Sequence, residues 1–176
     1  MNIIRIDKNN QVNGPGLRCV IWVSGCTHHC PECHNPETWD YKYGRPFSGD
    51  DFDVIDQQLS SPEISGVTFS GGDPLAPNNR ERVQLLCDTL KRLYPKKTIW
   101  MYTGFLYEDV KQCLRNVDVL IDGTYVPAKN PGLGKAKWRG STNQRVIDVQ
   151  KSLAQNKIVE YIDFNGKTIS ENERDR

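Results

Sequence analysis

The sequence predicts an α/β fold, a partial, open (β/α) barrel of about five to six mostly parallel strands. Three observations lead there. Short β-rich runs alternate with segments of helical periodicity, the pattern of parallel strands joined by crossovers. The Gly-, Asp- and Cys-bearing turns all follow the C-terminal ends of those runs, the edge at which parallel α/β proteins bind ligands. Finally, a closed eight-stranded barrel usually takes about 250 residues, and this chain has 176.

Each element has its own signal. Ile3 to Ile6 reads as a short strand. Arg18 to Ser24 is rich in β-formers and runs through Gly25 into a cysteine-bearing loop. Ser48 with Asp51 three residues on resembles a capping box, opening a helix with Phe52, Ile55 and Leu59 at helical spacing. Gly66 to Ser70 is a strand that enters Gly71-Gly72-Asp73-Pro74. Asn79 to Tyr94 is the clearest helix, with Val83, Leu86, Cys87, Leu90 and Leu93 on one stripe. Thr98 to Tyr102 is a strand ending at Thr103-Gly104, Tyr107 to Arg115 a short helix, and Val117 to Ile121 a strand ending at Asp122-Gly123. A Gly/Pro/Lys-rich loop spans Pro127 to Gly140. Arg145 to Val149 is the last barrel-type strand, and Ile158 to Phe164 with Asn165-Gly166 starts a hairpin. The organisation is one domain over residues 1–169 and a polar, frayed tail over 170–176.

Bulk properties narrow the function. The net charge is +1 and the pI about 7.6, far from the basic balance of a nucleic-acid binder. No apolar run approaches the roughly 20 residues of a membrane helix, and the N-terminus has no signal-peptide pattern. The expected location is the cytoplasm, with no nucleic acid and no membrane as partner. Thiols stay reduced there, so the six cysteines are not read as a disulfide framework.

Three of those cysteines fall within eight residues: Cys26-Thr27-His28-His29-Cys30-Pro31-Glu32-Cys33. Thiolates this close can face one centre if the loop wraps around it. Cysteine thiolates are the usual ligands of a [4Fe-4S] cluster, and three of them leave one iron open to substrate. Two other readings compete. A Cys3His zinc site draws on His28, His29 or His34, although zinc sites usually bring ligands as two separated pairs. A thioredoxin-like role for Cys30-Pro31-Glu32-Cys33 leaves Cys26 without a purpose. Cys19, Cys87 and Cys113 occupy apolar strand or helix positions and read as structural.

The C-x3-C-x2-C motif after the first main strand resembles the signature of the radical S-adenosylmethionine (SAM) superfamily. Asn13-Gly14-Pro15-Gly16, Cys33-His34-Asn35, Gly71-Gly72-Asp73-Pro74-Leu75, Tyr102-Thr103-Gly104 and Trp138-Arg139-Gly140-Ser141 place the chain, up to about Val149, near the glycyl-radical-enzyme activases. Within them it is similar to the activating proteins of anaerobic ribonucleoside-triphosphate reductase, and more distantly to pyruvate formate-lyase activating enzyme. Two residues depart from the superfamily pattern: Glu32 stands where an aromatic residue is common, and Asp73 where the glycine motif often ends in Glu. The resemblance implies a cluster on Cys26, Cys30 and Cys33 that cleaves SAM reductively to methionine and a 5′-deoxyadenosyl radical. It implies adenine contacts from Glu32, Cys33 and His34, contact with the methionyl amino group from Gly71, Gly72 and Asp73, and a ribose contact from Asp122, itself a common cap or turn former. A branched side chain at Gly72 is then expected to meet bound SAM and lower its cleavage while sparing the cluster. The implied partners are the glycyl radical subunit of the reductase and flavodoxin or a similar one-electron donor. The rivals are another small radical SAM enzyme, such as a deazaguanine-forming one, and a zinc-binding interaction module. Lys129, Lys135, Lys137, Arg139 and Arg145 lie in a stretch without acids, which reads either as a docking or phosphate-binding loop or as a solvated basic loop.

Overall fold

A computed structural model describes residues 1–132 and 137–169; the expected tail and Lys135 lie outside the described residues. Among the described residues, seven strands form one open sheet: β1 (Asn2–Asn10), β2 (Leu17–Val23), β3 (Arg45–Pro46), β4 (Ile64–Gly71), β5 (Thr98–Tyr102), β6 (Val119–Asp122) and β7 (Arg145–Asp148), in the order β3-β1-β2-β4-β5-β6-β7. The four central strands β2, β4, β5 and β6 are parallel, while β1 runs antiparallel to β2 and β7 antiparallel to β6. The sheet is not a closed barrel. It exceeds the expected five to six strands because β1 folds back over most of its length on β2 and then pairs with the two-residue β3.

Period-two alternation sorts the strand residues to two faces. Cys19 and Ile21 stand beside Val67 and Phe69, which stand beside Ile99 and Met101; Leu120 and Ile147 extend the row. This face is fully apolar and forms the main core with α1 (Gly49–Ser60) and α2 (Arg80–Leu93). The stripe on α2 is buried at Val83, Leu86, Cys87 and Leu90, but Leu93, at the helix end, is half exposed. Each of those buried aliphatic side chains contributes about 2 kcal/mol. α1 begins with the expected capping box between Ser48 and Asp51, and Arg45 closes on the same carboxylate with two bonds of 2.6 Å, which holds Asp51 down at about 2. The expected helix from Tyr107 shortens to α3 (Tyr107–Val110) followed by a 3-10 turn, Lys111–Cys113. Cys113 is partly buried against the core.

The other face carries Arg18, Val20 and Trp22 of β2, Thr68 and Ser70 of β4, Trp100 and Tyr102 of β5, and Ile121 and Val146 of β6 and β7. Its lower half is covered by Trp138, Tyr161 and Ile169, with Trp100, Trp138 and Tyr161 meeting edge to face at 4.9–6.0 Å. The segment carrying Tyr161 follows α4 (Val149–Gln155) and turns back through an Ile162–Thr168 bridge, the expected hairpin.

Arg18 is fully buried on this face. Its guanidinium donates to Thr68 Oγ1 (2.7 Å), Thr98 Oγ1 (3.0 Å) and the carbonyls of Val67 (2.7 Å), Thr98 (2.9 Å) and Pro15 (3.5 Å). Five acceptors match the five donors of the fork, so neutral oxygens of β4, the start of β5 and the turn before β2 stand in for a carboxylate. Desolvation pushes the group down to about 10, still charged at neutral pH. Arg18→Lys keeps the charge but concentrates three donors at one point. It is expected to lower unfolding stability by about 2 kcal/mol, through buried carbonyls left without donors, read as a lower urea midpoint; an unchanged midpoint would show that the fork is dispensable.

Candidate functional site

The three clustered cysteines lie in the loop leaving the C-terminal end of β2. Gly25 N–H donates to the Thr38 carbonyl at 2.7 Å and Cys26 N–H to that of Trp39 at 3.2 Å, which fixes the root of the loop. Gly25 sits at φ +95°, and a Cβ there would fall 2.1 Å from the Tyr41 ring. Farther along, His29 (φ 47°) and Glu32 (φ 53°) adopt left-handed backbone although neither is glycine, a conformation that costs on the order of 1 kcal/mol or more and gathers at functional sites. These two residues turn the chain between successive cysteines.

The thiols have polar neighbours. Burial pushes Cys26 up to about 11, while hydrogen bonds from the His28 and His29 backbones pull the other way; Asn35 N–H lies 3.5 Å from Cys33 Sγ. All three cysteines are partly buried and line one cavity of about 620 Å³, together with Gly71, Gly72, Asp73, Thr103 and Gly104. The volume is that of a small-molecule or cofactor site. Among the described residues no three His, Cys, Asp or Glu side chains gather as ligands of one metal ion. The histidines have other partners: His28 pairs with Asp73 at 2.8 Å, and the rings of His29 and His34 lie against Trp39 and Tyr125. Of the three histidines, His28 has its Nε2 engaged by Asp73. Three cysteine thiols lining one cavity are the donors an iron–sulfur cluster takes, and the residues present fit that group.

The glycine motif begins at Gly71, the last residue of β4. Gly71 has φ +102°, and its Cβ would lie 2.5 Å from the Val23 carbonyl. At Gly72 a Cβ would come within 2.6 Å of the Gly25 carbonyl and 2.9 Å of that of Thr38. The nearest neighbour of Gly72 is thus the root of the cysteine loop. Gly72 N–H donates to the Val23 carbonyl (2.7 Å), Asp73 N–H to that of Gly25 (2.8 Å), and Asn79 Nδ2 bridges the carbonyls of Ser24 and Asp73.

The other expected site residues divide. His34 lines the cavity with Cys33. Glu32 is exposed and absent from the wall. Asp122, expected at a ribose, also stands apart: it is fully buried, accepts from Tyr107 N–H at 2.7 Å, and is paired with Arg145. The basic stretch is largely used internally. Arg145 also binds Glu108, Lys137 binds Asp163 at 2.9 Å, and Arg139 donates to the Gln144 carbonyl at 2.6 Å. Sequence reasoning missed Trp22, Ser70 and Tyr102, which line the cavity. Alternation along β2, β4 and β5 places all three on the face opposite the core, so counting by twos from Ile21, Phe69 and Met101 finds them. Trp138, Arg139 and Gly140 complete the wall, held by Gln144, whose Oε1 accepts from Gly140 N–H at 2.8 Å and whose Nε2 donates to the Gly123 carbonyl.

A family described as a 4Fe-4S single cluster domain matches residues 12–147, a span that holds the whole cavity wall. The chain is 45% identical over 148 residues to the anaerobic ribonucleoside-triphosphate reductase-activating protein of Enterobacteria phage T4, covering 83% of this chain and 93% of that one. This chain belongs to that family. Its counterpart in Escherichia coli is 40% identical over 142 residues (77% and 90% of the two chains), and that of Haemophilus influenzae 37% over 155 residues (82% and 96%). The three clustered cysteines fall within the span that this family matches. No helix among the described residues is long and apolar enough to cross a membrane.

Proposed function

We propose that this chain activates an anaerobic ribonucleoside-triphosphate reductase by installing a glycyl radical in it, with a [4Fe-4S] cluster on Cys26, Cys30 and Cys33 and SAM as the second cofactor. The observation that carries the reading is the meeting of the three cysteines and the Gly71-Gly72-Asp73 turn on one cavity, in a chain whose relatives bear that name. When bound and reduced, by flavodoxin or a similar donor, the cluster supplies the electron that cleaves SAM to methionine and a 5′-deoxyadenosyl radical. The protein's share is holding and shielding. Three thiolates leave one coordination position without a protein ligand. The amides of Gly72 and Asp73 are already donated to Val23 and Gly25, so the Gly71-Gly72-Asp73 turn would meet the methionyl ammonium group with acceptors. Trp22, Tyr102 and Trp138 give the cavity aromatic walls, which limit the access of water to a reactive radical.

The test combines reduced, cluster-loaded protein, SAM and the reductase under anaerobic conditions. Formation of 5′-deoxyadenosine is expected, together with a doublet electron paramagnetic resonance signal in the reductase that collapses when its glycine is deuterated at Cα. Consumption of SAM with the radical delivered to a small molecule, and to no protein, would refute the activase reading and leave the SAM chemistry standing.

A further inference from the structure

We propose that His28 is a positioning residue. Clamped by Asp73 and seated on Gly104, it sets the arc between Cys26 and Cys30. This rests on the reading that those cysteines are cluster ligands.

Asp73 is the fixed point of the clamp. Its side chain is 1% exposed and accepts from Leu75 N–H (2.8 Å), Thr103 Oγ1 (2.9 and 3.0 Å to its two oxygens) and Gly104 N–H (3.0 Å). The carboxylate is therefore oriented by the ends of both β4 and β5. It is not a loose group that a ligand can recruit. Its remaining partner is His28 Nε2 at 2.8 Å, and because the acceptor is a carboxylate, the proton belongs on Nε2. Gly104 makes the slot. A Cβ on it would fall 2.4 Å from the imidazole, so the ring occupies the volume that any other residue at 104 would take. Phe105 meets the ring edge to face at 4.4 Å.

The short acid belongs to the same arrangement. Asp73 binds both His28 and the Gly104 amide, and His28 fills the space over Gly104, so the three form an interlocking set. His28 lies midway between Cys26 and Cys30 in sequence, and it ties the middle of that arc to two strand ends. His29 beside it is in left-handed backbone, so the pinned ring of His28 stands next to the turn that leads to Cys30.

The experiment measures chelator-driven iron release from anaerobically reconstituted protein. His28→Ala and Asp73→Asn are expected to release iron at least about tenfold faster than the parent, the usual consequence of losing a hydrogen bond to a charged group. The double variant should be no faster than the faster single one, because the two residues act as one unit. His28→Gln, whose amide can still donate to Asp73, should recover most of the retention. The spectrum of the reduced cluster without SAM should shift in His28→Ala and return in His28→Gln. Parent-like release from His28→Ala, or His28→Gln no better than His28→Ala, overturns the proposal. Cys30→Ala is measured in parallel: if it keeps its iron, the ligand assignment itself fails, whereas Cys30→Ala losing iron while His28→Ala holds it overturns the clamp alone.

Discussion

Cys30→Ala is expected to reduce bound iron and sulfide to a small fraction of the parent's, and Cys26→Ala and Cys33→Ala to do the same. Three thiols line the cavity, and two anchors do not hold a four-iron cluster against chelation. Loss of an outer hydrogen-bond partner of a metal ligand already costs roughly 10–100-fold in affinity, and loss of the ligand itself costs no less. The remaining cysteines provide the contrast. Cys19 is buried in β2, where desolvation pushes it up to about 12; Cys87 is buried in α2, with its thiol pushed up likewise. Neither lines the cavity. Cys87→Ser is expected to lower stability by about 1 kcal/mol, for a hydroxyl in an apolar site, and to keep its iron. Iron and sulfide analysis after anaerobic reconstitution decides the matter: a full complement in Cys26→Ala would remove Cys26 from the ligand set.

Gly72→Val should abolish cluster binding and SAM cleavage together. From sequence, a branched side chain here is expected to strike SAM and spare the cluster. The structure alters that expectation, because a Cβ at this position meets the backbone carbonyls of Gly25 and Thr38. Backbone does not rotate away as a side-chain tip does, and overpacking against it costs about 1–3 kcal/mol or more. The strain falls on the residue just before Cys26. Gly49→Ala is the matched control: the position is helical, nothing lies within 4 Å of the added Cβ, and stability should stay within about 0.5 kcal/mol. Retention of the full cluster by Gly72→Val with a selective loss of cleavage would restore the ligand-contact explanation.

Local signals carried much of the fold. The stripe on α2, the Ser48 cap and the strand runs before Gly25, Gly71 and Thr103 all act within one or two turns of chain, so they are visible in sequence. The cavity's location followed from them, since it lies where those strands end. Other features arise from contacts between distant residues. Arg18 reads as an ordinary strand residue, because its acceptors lie 49 to 80 positions away for Val67, Thr68 and Thr98. Asp73 looks like a turn or ligand residue until His28 and Gly104 are brought beside it. The reversal of β7 against β6 depends on the path of the intervening loop, which has no periodicity of its own. α4 was within reach: Asp148 caps it by accepting from Lys151 N–H at 3.0 Å, and an Asp ahead of Val149-Gln150-Lys151 is a recognised start signal.

The two margins of the sheet bear on how copies of this protein behave toward one another. β3 is two residues long and ends in Pro46, which has no N–H to offer an incoming strand. On the opposite side, β7 is already flanked: Asp148 N–H donates to the Val159 carbonyl at 2.9 Å, and Tyr161 N–H to that of Val146 at 2.8 Å. Open sheets with free margins recruit further strands and aggregate. β3 covers only Asn2 and Ile3 of β1, whose register against β2 shifts twice, whereas the chain's own later segment flanks the other margin, so growth by strand addition is disfavoured on the β7 side. Truncation before Ile158 would bare β7 along that side, and the shortened protein should precipitate more readily even though the residues lining the cavity all lie upstream of the cut.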